Sequence, residues 1–275
     1  MISSLVIVFR EMLEMSLVIG ILLAATRGLS GSRRWIWLGM AGGVLGAVFV
    51  AIFMGELESS VQGNGEFLFN AFVLLLASVL IAWTVFWMTQ HGRELSAHMR
   101  QVGEAVKVGR LPYKSLAVVS LAAVMREGSE AAFFLFGASQ AVKDEGWTLL
   151  VGGILGAVAA LLIGALLYYG LVRIPVRRLL GVAGWLLMLL AAGMASQAAW
   201  NLVAIDWLPP LVDTLWNSSG WLPQDSFIGE MLHVLVGYDE APSGMQFAVF
   251  AVALLVMGSI YYRLQTRRET TSPES

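Results

Sequence analysis

Apolar residues in this chain fall into long runs separated by short polar stretches. The runs lie at about 3–25, 35–54, 67–90, 115–140, 147–172, 179–203 and 245–263, and each is close to the ~20 residues that a helix needs to cross a ~30 Å hydrocarbon layer. The pattern predicts an all-α polytopic membrane protein with seven transmembrane helices. Two of the runs are interrupted by charge. Arg10-Glu11-Met12-Leu13-Glu14 lies in the first and Arg126-Glu127-Gly128-Ser129-Glu130 in the fourth, so both read R-E-x-x-E. Ionised side chains inside a span are costly, and such residues mark functional sites by default.

The polar stretches set the expected orientation. Arg27, Arg33 and Arg34 follow the first run, and Arg93, Arg100, Lys107, Arg110 and Lys114 follow the third. Arg173, Arg177 and Arg178 follow the fifth, and Arg263, Arg267 and Arg268 follow the seventh. Apart from Arg10, Arg126 and Lys143, every basic residue falls on one side. Basic connections stay in the cytoplasm, so the N-terminus is expected outside and the C-terminus inside. The acids are biased the other way, with Glu56, Glu58, Glu66, Asp144, Glu145, Asp206, Asp213, Asp225, Glu230, Asp239 and Glu240 outside. Trp35, Trp37, Trp87, Tyr168, Tyr169, Tyr261 and Tyr262 fall near inner ends, and Trp147 and Trp200 near outer ends, as interfacial aromatics do. The first run lacks a basic leader and carries charge where a signal peptide is apolar, so no removable signal peptide is expected.

Runs 1–3 and 4–6 resemble two copies of one unit. R-E-x-x-E opens each, and Gly42-Gly43-Val44-Leu45-Gly46-Ala47-Val48 matches Gly152-Gly153-Ile154-Leu155-Gly156-Ala157-Val158 except at one position. Gly42/Gly46 and Gly152/Gly156 fit small-xxx-small helix packing. A three-span unit reverses direction when repeated, which predicts a 3+3 inverted repeat plus one extra helix. Transporters built this way bind substrate near the midplane, between the repeats. The expected organisation is a first three-helix repeat over 1–90, a basic cytoplasmic loop over 91–114 and an inverted repeat over 115–203. An acidic extracytoplasmic loop over 204–244 and a seventh helix with a cytoplasmic tail over 245–275 complete it. Within the acidic loop, residues 225–236 could form a short amphipathic surface helix.

Composition narrows the class. The chain is 58% hydrophobic and 13% charged, against about 25% charged in soluble proteins, and its mean hydropathy is +0.75. A soluble enzyme is excluded, and no nucleic-acid partner is expected. With no cysteine, disulfides and thiolate metal sites are excluded too.

On a helix, Glu11 and Glu14 share a face and Arg10 sits one turn from Glu14; Arg126, Glu127 and Glu130 repeat the spacing. If the two helices cross antiparallel, four carboxylates converge. Four glutamates and two arginines sum to −2, a charge that a divalent cation neutralises. Carboxylates suit hard cations, and no histidine lies in any run, since His91, His98 and His233 fall in connecting segments. The same absence argues against a membrane-embedded di-iron enzyme, which pairs glutamates with E-x-x-H motifs. A pure Arg–Glu salt bridge would need one glutamate per motif, and each motif has two. Ser4 and Ser120 each precede the first motif glutamate by seven residues, a spacing that suits packing more than a path for cations. Met12, Met15 and Met125 are read as packing residues. No permanently bound cofactor is expected.

These motifs carry a resemblance. The chain is similar to the oxidase-dependent iron permeases, in particular the EfeU-like bacterial members, whose seven spans bear R-E-G-L-E in the first and fourth. The charged positions match, and Met12 and Ser129 depart at spacer positions. Further similar stretches are Trp83-Thr84-Val85-Phe86-Trp87-Met88 and Gly237-Tyr238-Asp239-Glu240-Ala241-Pro242-Ser243. The resemblance implies high-affinity uptake of iron, ferrous or ferric, across the cytoplasmic (inner) membrane. Glu11, Glu14, Glu127 and Glu130 would be the metal ligands, and Arg10 and Arg126 would support them. It also implies extracytoplasmic iron-binding and redox partners, a haem peroxidase or an oxidase. Asp239 and Glu240 are candidates for attracting cations to the outer surface. The alternative function is transport of another hard divalent cation such as manganese, or a proton-coupled cation carrier.

Overall fold

The structure, a computed structural model, describes residues 1–59, 65–141, 146–168, 176–224, 226, 228–229, 232–233 and 237–270. Seven long helices carry the described part of the chain: α1 (Ile2–Ala25), α2 (Ser32–Ser59), α3 (Gly65–Lys107), α4 (Lys114–Ala141), α5 (Gly146–Tyr168), α6 (Val176–Ala204) and α7 (Gly244–Thr270). No strand occurs among the described residues. The surface helix expected over 225–236 falls mostly outside them, and Lys143, Asp144, Glu145, Tyr169 and Arg173 fall outside altogether.

The distribution of side chains is that of a bundle immersed in lipid. Large apolar residues point outward: Leu45 is 70% exposed, Phe49 71% and Leu255 73%. The interior holds small and polar groups beside its large apolar ones, with Ser4, Ser120 and Glu11 as buried as Leu74 and Met188. A soluble bundle reverses this pattern, because its outer surface must be wetted. Five of the helices are long and apolar enough to cross a bilayer, through Ser32–Glu56, Phe67–Gly92, Gly146–Leu166, Leu180–Ala204 and Gly244–Leu264. The other two expected spans, α1 and α4, have 24 and 28 residues and each carries the three charged residues of its motif in its middle.

Helices adjacent in sequence are not the ones that pack most closely. α1 lies along α5, and α2 along α4, each pair running parallel. α3 lies antiparallel to α6, with Ser78 Oγ donating to Ala191 O at 2.7 Å and Phe67 meeting Trp200 at a ring distance of 6.4 Å. α6 also packs on α7, with Ser196 Oγ donating to Gln246 O at 3.1 Å and Trp185 edge-on to Tyr261. Close approach is possible because glycines face backbone. A Cβ on Gly156 would strike Leu5 O of α1, and one on Gly43 would lie 2.9 Å from Leu121 O of α4.

These contacts do not follow the match between the two glycine heptapeptides. Ser4 lies against Gly152 and Ser120 against Gly39, so Gly39/Gly43 of α2 do the work of Gly152/Gly156 of α5. Matching the two heptapeptides had paired Gly42/Gly46 with Gly152/Gly156, three residues out of step. Glycines three and four apart match themselves in several registers, so identity alone selected the wrong one. Gly42 and Gly46 instead face the side chains of Leu121 and Met125. Ser4 and Ser120 donate to Met1 O and Leu116 O of their own helices, at 2.8 and 2.5 Å, and are packing residues as expected.

α3 continues well past the predicted span end near residue 90. Its 43 residues extend roughly 64 Å at ~1.5 Å each. The tail is helical because Met99, Val102 and Val106 recur on one face and bury against Val18, Leu22, Ile36 and Leu116. Gly109 (φ +78°) ends it, with Arg110 N donating back to Ala105 O at 2.8 Å.

Candidate metal centre

The R-E-x-x-E motifs occupy the middles of α1 and α4, where these helices meet. Glu11, Glu127 and Glu130 each offer a carboxylate oxygen within 4.8 Å of the other two. Helical spacing of three and four aims each motif's side chains to one side of its helix. The contact between α1 and α4 then merges the two sets.

The two halves differ. In the first, Arg10 is 2% exposed and grips both glutamates, Nη1 donating to Glu11 Oε1 at 2.8 Å and Nη2 reaching Glu14 Oε1 at 3.0 Å. In the second, Arg126 is 35% exposed and uses Nε alone, at 3.0 Å from Glu130 Oε1 and 3.8 Å from Glu127 Oε1. Its guanidinium lies 4.1 Å from the centre of the Trp87 ring on α3. Thr84 Oγ1, one turn earlier, donates to Glu130 Oε2 at 3.0 Å. Gly128 is the second motif's spacer, where a Cβ would lie 2.6 Å from Ala47 Cβ of α2; Met12 holds the matching position in the first.

Three buried oxygens, Glu11 Oε2, Glu14 Oε2 and Glu127 Oε2, have no hydrogen-bond partner. Buried carboxylate oxygens without partners are costly, and a cation between the helices removes that cost. The donor set is all oxygen, which favours a hard cation. Glu14 is tied to Arg10 and stands outside the trio that shares a 4.8 Å neighbourhood.

Asp239 and Glu240 lie elsewhere. Asp239 accepts from Gln246 Nε2 at 3.2 Å and from Ala241 N at 3.0 Å, and Glu240 Oε2 accepts from Gln224 N at 2.8 Å. Both carboxylates knit the segment before α7 together. That segment is also pinned by Tyr238, whose hydroxyl donates to Leu222 O at 2.8 Å, and by Gly237 (φ +69°), which rests on Gly193 of α6.

Thr84 and Trp87 were not singled out as site residues from the sequence. Its position near the end of an apolar run makes Trp87 look like an interfacial anchor in the sequence. The available signal was their spacing of three on one face of α3, inside the stretch that carried the family resemblance.

A model of the iron permease FTR1 family matches residues 1–265. The chain belongs to that family. The permease is 28% identical over 273 residues to the ferrous iron permease EfeU of Shigella sonnei (strain Ss046), covering 98% of both chains. It is 29% identical over 254 residues to the protein of that name from Escherichia coli O6:H1 (90% of this chain, 91% of the relative). The Yersinia pestis protein is 27% identical over 253 residues (90% and 89%). No solved structure matches. Family and fold together make this a multi-pass membrane permease, a transporter and not an enzyme, with iron as substrate and not as a resident cofactor.

Proposed function

We propose that this permease takes up ferrous iron across the cytoplasmic membrane through a carboxylate site of Glu11, Glu14, Glu127 and Glu130, with Arg10 and Arg126 as resident counter-charges. The observation that carries this is the meeting of Glu11, Glu127 and Glu130 across two helices, with unpartnered oxygens facing inward. The relatives are ferrous iron permeases by name, which supplies the oxidation state, and a dication balances the net charge of −2 on four glutamates and two arginines.

In this reading all seven helices cross the bilayer, α1 entering from outside and α7 ending in the cytoplasm. Each arginine offsets one of its motif's two negative charges, and the ion pairs hold the charged groups within the α1–α4 contact, which makes both helices tolerable in lipid. α1–α3 and α4–α6 form an inverted repeat. This reading is supported by the exchange of partners, α1 with α5 and α2 with α4, which maps onto itself when the halves are swapped. The inner side is the one where Gly103 of the α3 tail meets Ala25 at the end of α1, near Arg27, Arg100 and Lys107. Asp239 and Glu240 then add negative potential on the entry side. An extracytoplasmic iron-binding or redox protein delivers the metal.

The test is uptake of labelled ferrous iron into anaerobic proteoliposomes. Glu14→Ala and Glu130→Ala should each abolish uptake while still inserting, and excess manganese should compete poorly. Wild-type uptake in both variants removes the site assignment, and equal competition by manganese removes iron as the preferred cargo.

A further inference from the structure

The inequality of the two half-sites has a structural cause on α3. Among the described residues Arg10 pairs with carboxylates, and it holds two of them with two nitrogens. Arg126 has an alternative. The Trp87 ring takes its guanidinium face, and that ring is itself stacked on His91 at 5.2 Å and 21°. Thr84, 5% exposed, donates to Glu130 Oε2 and competes there with the second guanidinium nitrogen that bidentate pairing would bring. Arg126 therefore keeps a single close contact, through Nε.

We propose that Trp87 and Thr84 are positioning residues that keep the second half-site open to the cation, by holding Arg126 short of a full clamp on Glu127 and Glu130. Arriving metal then competes with one Nε contact instead of a bidentate ion pair. The displaced positive charge stays over the indole face. The first motif, clamped by Arg10, supplies the fixed half of the site and the second supplies the exchangeable half. This inference rests on the carboxylate site proposed above and adds to it the seat that governs its affinity.

The experiment measures anaerobic ferrous-iron binding and initial uptake rates with the full-length protein in liposomes, for wild type, Trp87→Phe, Trp87→Leu, Thr84→Val and Glu127→Gln. Losing the ring lets Arg126 close on its glutamates, so Trp87→Leu should raise the half-saturating iron concentration by roughly five- to thirtyfold, with the maximal rate retained. Phenylalanine offers a weaker face than indole, so Trp87→Phe should fall between wild type and Trp87→Leu. Thr84→Val, which frees Glu130 Oε2 for Arg126, should shift half-saturation in the same direction. A role in packing alone would lower the maximal rate or the amount of inserted protein and leave half-saturation unchanged, and that result overturns the proposal. So does a Trp87→Phe variant as impaired as Trp87→Leu. If Trp87→Leu fails to insert, the Trp87→Phe and Thr84→Val shifts decide. Glu127→Gln separates the two levels: weakened binding there with unaltered Trp87 variants removes only the seat, whereas unaltered binding in Glu127→Gln removes the site itself.

Discussion

Replacing each motif arginine by glutamine should have very different consequences for stability. Arg10 is 2% exposed and bonded to two carboxylates at 2.8 and 3.0 Å, and both of those glutamates are buried as well. Arg10→Gln leaves two buried carboxylates facing each other without a counter-charge. Removing one partner of a buried ion pair costs ~3–5 kcal/mol. Arg126 is 35% exposed and makes one ion-pair contact at 3.0 Å and one ring contact at 4.1 Å. A partly exposed pair contributes about 0–1 kcal/mol and a partly exposed cation–π contact about 0.5–1 kcal/mol, so Arg126→Gln should cost roughly 0.5–2 kcal/mol. Denaturation of the two variants in lipid nanodiscs without metal measures this directly. The destabilisation by Arg10→Gln should exceed that of Arg126→Gln by at least about 1 kcal/mol. Equal losses, or a greater loss from Arg126→Gln, would show that the two half-sites are alike and would refute the asymmetry.

Other consequences follow from the packing. Gly43→Val drives a side chain into Leu121 O and Val124 and should prevent folding or cost ~1–3 kcal/mol or more, while Gly42→Ala meets only the flexible end of Leu121 and should be tolerated; the reverse order, read by thermal unfolding, would restore the heptapeptide register. Gly237→Ala puts a Cβ 2.7 Å from Gly193 at a φ of +69°, so it should loosen the segment before α7 and raise its protease sensitivity, with an unchanged digestion pattern counting against the docking. Asp239→Asn with Glu240→Gln should raise the half-saturating iron concentration more at low salt than at high salt, as an electrostatic attraction requires. A salt-independent effect would assign both residues to the hydrogen bonds they make with Gln246 and Gln224 alone.

Periodicity made the helices legible, because a lipid-facing helix needs little more than unbroken apolar length. It also located the charged motifs, since Arg10 and Glu127 stand out in apolar surroundings. The inner register was not legible: glycines at 39, 42, 43 and 46 offer several equivalent matches, and only backbone contact with Leu121 or Leu5 distinguishes them. The length of α3 was obscured by Arg93 and Arg100, charges that interrupt the apolar run in sequence, although Arg100 is exposed while Met99, Val102 and Val106 form a buried stripe. Thr84 and Trp87 were hidden for another reason. Their partners, Glu130 and Arg126, lie 46 and 39 residues away in sequence, and no local spacing reports a contact between helices. The inequality of the half-sites depends on that contact, so two identical charge patterns concealed it.

Iron is proposed to bind where α1 and α4 bring their glutamates together. Equilibrium binding of ferrous iron, under anaerobic conditions, to purified protein carrying both Glu11→Gln and Glu127→Gln tests it most directly. Glutamine preserves shape and removes charge, so the helices should still pack and high-affinity binding should disappear, with affinity falling at least about a hundredfold. Wild-type affinity and stoichiometry in the double variant would contradict the account.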